Sequence, residues 1–148
     1  MANEKIVIKD AVITMNPGGS AVDLSPFCKK VSIEIAKPDV NTSCMGDPAD
    51  RHMKGPGGHQ VSFDFLHARA QSAFLAKMAT EFNLDVATPF EVKFRNATVD
   101  TDNRKFTFSA LVITLPIGAS RGEAASFSAT WPIDGQVTMN DGTSDVLL

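Results

Sequence analysis

Apolar and polar residues alternate one by one along most of this chain, which predicts half-buried β-strands. From Phe27 to Ala36, Val31, Ile33 and Ile35 take one face and Lys30, Ser32 and Glu34 the other. Gln60 to Leu66 sets Val61, Phe63 and Phe65 against Ser62 and Asp64. Phe90 to Thr98 sets Phe90, Val92 and Phe94 against Glu91, Lys93 and Arg95. Ala125 to Trp131 sets Phe127, Ala129 and Trp131 against Ser126, Ser128 and Thr130. Lys105 to Ile117 starts the same way, but past Ala110 both faces are apolar through Leu111, Ile113 and Leu115. That predicts burial on two sides or a subunit contact. Lys5 to Met15 predicts one bent strand or two short ones, and Gln136 to Met139 a last short strand. Asn16 to Ser20, Asp23 to Pro26 and Asp100 to Asn103 are turns.

A single stretch changes period. From Ala68 to Phe82, Phe74, Leu75, Met78 and Phe82 recur at helical spacing and predict a buried face, with Arg69, Ala73, Lys77 and Thr80 in water. Fifteen residues would make a helix of about 22 Å, enough to cover one side of a small sheet. Lys37 to Gly58 has neither period. It carries three prolines and four glycines, and it is too long for a simple connection. The prediction is a long loop whose mixed charges, Asp39, Asp47, Asp50, Arg51 and Lys54 among them, suit an ordered contact.

These elements predict a mainly β fold, a sandwich or open barrel with one flanking helix, as a single domain over residues 1–148 with a loose tail from Asn140. Composition refines this. Ten Phe against one Trp and no Tyr predict a core filled by phenylalanine. A formal charge of −3 gives no basic surface for gripping nucleic acid, although a protein that only lets DNA pass would look the same. Two cysteines, Cys28 and Cys44, are too few for a disulfide scaffold and are expected to be reduced thiols. With no apolar leader at the N-terminus and no spanning segment, synthesis and folding in a cytoplasm are expected, without membrane insertion.

Catalytic chemistry is poorly supported. Cys44, His52 and His59 lie near Asp47 and Asp50, but their spacing matches no zinc pattern, so surface loop residues are the simpler reading. Lys54-Gly-Pro-Gly-Gly58 follows no predicted strand and opens no helix, which argues against a phosphate cradle. His67 reads as a packed histidine. Glu34 and Asp64 could be drawn as a carboxylate pair, yet a solvated sheet face explains them equally well. The expectation is a non-enzymatic protein without cofactor or metal.

The closing run Ala125-Ser-Phe-Ser-Ala-Thr-Trp-Pro-Ile-Asp-Gly-Gln-Val-Thr138 resembles the end of the major tail tube proteins of phages with long, non-contractile (siphovirus-type) tails. Asp23-Leu-Ser25 with Val31-Ser-Ile-Glu-Ile35, Val61-Ser-Phe-Asp-Phe-Leu66, and Pro89-Phe-Glu-Val-Lys93 occur in the same order as in that family. The likeness runs from Lys5 to Met139, although Pro48 to Gly58 is richer in Pro, His and Lys than the family pattern. The resemblance implies hexameric rings stacked into a hollow virion tube, with one sheet per subunit joined into an inner barrel through which DNA passes. Expected partners are further copies of the chain and other tail proteins (tape measure, terminator and distal tail). It implies that Ser32, Glu34, Ser62 and Asp64 face the lumen, and that the long loop bridges rings through Asp39, Asp47, Asp50, Arg51 and Lys54. A single-ring head–tail joining or decoration protein, a secretion-system tube of the same fold, and a small-ligand barrel are the alternatives.

Overall fold

The computed structural model describes residues 9–16, 18, 21–66, 72–115, 121–122 and 126–148, without the side chains of 72–75. In chain order the strands are β1 Val12–Met15, β2 Val22–Asp23, β3 Cys28–Glu34, β4 Asp39–Asn41, β5 His52–Lys54 and β6 Gln60–Leu66. The helix α1, Ser72–Asn83, leads into β7 Thr88–Lys93, β8 Lys105–Ala110, β9 Ser126–Pro132, β10 Thr138–Asn140 and β11 Asp145–Leu147. Residues 5–8 of the first predicted strand, residues 68–71 of the predicted helix, His67, and residues 116–117 and 125 of two later predicted strands lie outside the described residues.

A six-stranded sheet in the order β11-β10-β8-β7-β1-β2 covers a three-stranded sheet in the order β3-β6-β9, and every pairing is antiparallel. The fold is therefore mainly β, as the alternation predicts. Phe63 on the middle strand of the small sheet joins the layers: its ring centroid lies 5.5 Å from Phe90 and 5.6 Å from Trp131. Phe90 in turn stacks on Phe108 at 5.6 Å. The aromatic rings are offset or tilted, the arrangement their quadrupoles favour. Trp131 keeps its polar edge satisfied by donating from Nε1 to the Thr114 carbonyl at 3.0 Å.

Three expectations are corrected. The tail is not loose: β10 pairs with β8, and β11 folds back on β10 through the turn Asp141 to Ser144. Asp141 accepts backbone N–H bonds from Thr143 and Ser144, and those bonds, Ser144 foremost, hold its carboxyl down at about 2. The long loop is not without strands: β4 and β5 form a two-stranded hairpin within it. Its strands are three residues each and wholly exposed, so burial leaves no period in the sequence to read. The third correction concerns the helix. Met78 is fully buried as predicted, but Phe82 is 46% exposed and Glu81 is buried in its place. At 100° per residue the buried arc centres near Glu81, leaving Phe82 about 90° from its middle. The predicted packing of Phe74 and Leu75 lies outside the described side chains.

Candidate assembly surfaces

The outer face of the three-stranded sheet gathers the four residues expected at a lumen. Register places Ser32 opposite Ser62 and Ser62 opposite Thr130, while Lys30, Asp64 and Ser128 form a neighbouring row. Glu34, Gln60 and Pro132 form a third row. Alternation alone dictates this, because the opposite side chains of the same strands fill the core. Ser62 and Thr130 share a hydroxyl hydrogen bond of 2.9 Å across the strands. The face is thus small and polar, with one lysine against two carboxylates. Glu34 and Asp64 stand four residues apart along the sheet, about 13 Å by strand rise, so they do not form a carboxylate pair.

The β4–β5 hairpin rises from one end of this sheet as an arm. It is braced locally rather than by a core. Asn41 Oδ1 accepts from the Ser43 N–H at 2.8 Å, Ser43 Oγ from the Arg51 N–H at 2.7 Å, and Asp47 Oδ2 from the Cys44 N–H at 2.7 Å. Of the charges expected to reach another ring, Asp47 pairs with Arg51 at 3.5 Å and Asp39 with His52 at 2.9 Å, all within the arm. Asp50 and Lys54 make no ion pair among the described residues. The exposed apolar residues were missed. Val40 and Met53 pair directly across the arm and are 44% and 63% exposed, and Met45 projects fully into solvent at the tip. A valine opposite a methionine in a polar loop is the sequence signal that would have found them.

His59 fixes the base of the arm. Its buried ring accepts the Ala36 N–H at Nδ1, 3.2 Å away, so Nε2 carries the proton and donates to the main-chain oxygen of Leu148 at 3.1 Å. The residue's own carbonyl accepts the Ile133 N–H at 2.9 Å. No three His, Cys, Asp or Glu side chains gather into a metal-binding group among the described residues. Both cysteines are free, and burial pushes the Cys28 thiol up to about 11.

A second polar cluster escaped the sequence reading. Glu81 accepts from Thr88 Oγ1 at 2.7 Å, from Asn16 Nδ2 at 3.0 Å, and pairs with Lys77 Nζ at 3.0 Å. Burial by itself would raise its pKa, but these bonds, with Thr88 the strongest, together outweigh it and hold the carboxyl below its ordinary value. The cluster pins the helix to the starts and ends of β7 and β1. Among the described residues, no helix is long and apolar enough to cross a membrane.

No family model and no curated protein matches the sequence. Solved structures do match the fold. A chain of the SPP1 tail tube superposes with a TM-score of 0.72 at 11% identity, covering 93% of this chain and 80% of that one. A chain of the sheath/tube terminator of PVC, an extracellular contractile injection system in its extended state, gives 0.69 at 14% identity, covering 95% and 99%. A chain from the tail of an empty gene transfer agent particle, computed with C6 symmetry, gives 0.65 at 14% identity, covering 92% and 99%. The chain has the fold found in these tail and injection-system structures.

Proposed function

We propose that this protein is a structural subunit that forms rings and stacks them into the tail tube of a phage-like virion, the conduit for DNA. The observation that carries the reading is the fold match to the SPP1 tail tube over 93% of the chain. Two features of this chain support it. The small polar face around Ser62 gives a wall that DNA can pass without adhering, since few cations are there to displace counterions from phosphates. The three-stranded sheet also ends in two edge strands, β3 and β9, without a ladder partner among the described residues. Unpaired edges are aggregation hazards in a monomer, and closure of sheets around a ring removes them.

In this reading Ser32, Glu34, Ser62 and Asp64 face the lumen, six copies make a ring, and the arm contacts the next ring. The arm's charges play a different part from the one expected: Asp39, Asp47 and Arg51 shape the arm, while Val40, Met53 and Met45 make the contact. Tape-measure, terminator and distal tail proteins are the remaining partners of a siphovirus-type tail. The PVC match favours a second reading, a tube inside a contractile sheath. Electron microscopy of the purified protein is the test. Long hollow tubes are expected; single rings would indicate a joining or decoration protein, and a monomer at all concentrations would overturn the proposal. Bare tubes in particles from the source separate the non-contractile reading from the sheathed one.

A further inference from the structure

The two edges of the three-stranded sheet are finished differently. At β9 the inward side chains Phe127, Ala129 and Trp131 are all buried. At β3 the inward Val31 and Ile33 are only partly covered, and beside them runs a groove that continues past Phe94 to Phe106. Its two hollows measure about 270 and 350 Å³ and share Val31 and Phe94. The groove lies along β3, whose outer backbone edge has no ladder partner among the described residues.

The other edge carries a segment with the opposite deficiency. Leu111 to Leu115, mostly apolar and with β-branched Val112, Ile113 and Thr114 at its centre, suits a strand, yet it joins no ladder among the described residues. It is held beside β9 at two points: the Leu111 N–H donates to the Pro132 carbonyl at 3.0 Å, and Thr114 receives the Trp131 indole N–H. Between them Ile113 stands 54% exposed. The adjoining bridge between Ala110 and Ile133 is antiparallel, so the segment leaves β8 running against β9.

Strand direction says what this segment is for. β3 and β9 are both antiparallel to β6, so they point the same way. Rotation about a ring axis preserves that direction, so β9 meeting the next copy's β3 directly would form a parallel pair. One strand between them, running the other way, makes the whole junction antiparallel. We infer that Leu111 to Leu115 of one copy seats against the free β3 edge of a second copy and covers its groove. The unladdered segment and the uncovered groove sit at opposite edges of one sheet, which is the head-to-tail arrangement that closes into rings. The inference rests on the ring-forming reading and deepens it by naming the joint.

Paired cysteines test it. In a Cys28→Ala, Cys44→Ala background, Ile113→Cys is combined with Ile33→Cys or with Ser32→Cys, which sample both faces of β3. Oxidation of assembled protein should give, for at least one pair, a ladder of covalent oligomers on a non-reducing gel, whereas Ile113→Cys alone should stop at dimers. Assembly without a ladder from either pair overturns the joint and leaves the ring reading standing. A monomer in sedimentation overturns both. Ile113→Pro sharpens the result, because it removes a backbone donor at a position outside every ladder of the described residues. Its circular dichroism and melting should match the parent while ring formation falls at least tenfold. Unimpaired rings from Ile113→Pro would also overturn the joint.

Discussion

The three-stranded sheet and the β4–β5 arm are consecutive in the chain, and both are antiparallel β-structure, yet they are held by different means. In the sheet, Val61, Phe63 and Phe65 disappear into an aromatic core and hydrophobic burial sets the register. In the arm every strand residue is exposed, and side-chain oxygens of Asn41, Ser43 and Asp47 hold the turn by bonding nearby backbone. The difference teaches where each region can be changed. Substitutions in the sheet are felt by the whole fold, whereas those in the arm are felt by whatever touches it.

The sharpest break on the sheet side is Trp131→Ala, expected to cost about 3–5 kcal/mol in urea denaturation, because it empties the junction with Phe63 and Phe90. Met78→Ala on the helix should cost about 2–4 kcal/mol, and a loss under half a kilocalorie would mean the helix does not contribute to the same core. Glu81→Gln should cost about 1–2 kcal/mol at pH 7, since it weakens three hydrogen bonds to a buried charge. The pH dependence has a definite sign. With the folded pKa below the ordinary 4.5, the stabilisation is present above that value and is lost as pH falls beneath it. Thermal melts from pH 6 to pH 3 should therefore decline more steeply for the parent than for Glu81→Gln.

The smallest effect on the fold belongs to the arm. Replacing Met45 to Gly57 with a short Gly-Ser linker should leave circular dichroism native-like and change stability by less than about 1 kcal/mol, because loop closure depends weakly on length. Stacking into tubes should be lost, leaving rings or monomers in micrographs. Persistent long tubes would exclude the arm as the ring-to-ring contact.

How far the sequence was legible follows the same division. Wherever a residue's neighbours alternate in burial, as in β3, β6, β7 and β9, the strand could be read directly and its polar face with it. The polar rows through Ser32 and Asp64 were identified because the sheet that aligns them is the one the core dictates. The arm's strands could not be read, because periodicity reports burial and nothing in the arm is buried. Glu81 was hidden for another reason. A carboxylate on an apolar stripe is legible only through its partners, and Asn16 lies far away in sequence. Phe82, more apolar than its neighbour, drew the predicted face one position too far.

The imidazole of His59 has a mechanical corollary. One ring and its backbone grip three separate stretches of chain, at Ala36, Ile133 and Leu148. The direction in which the arm leaves the sheets is therefore set by this three-way pivot. In a stack joined through arms, the angular step from ring to ring would be inherited from that pivot rather than negotiated at the contact. His59→Gln should consequently blur the helical twist measured along a tube while leaving its length and diameter intact.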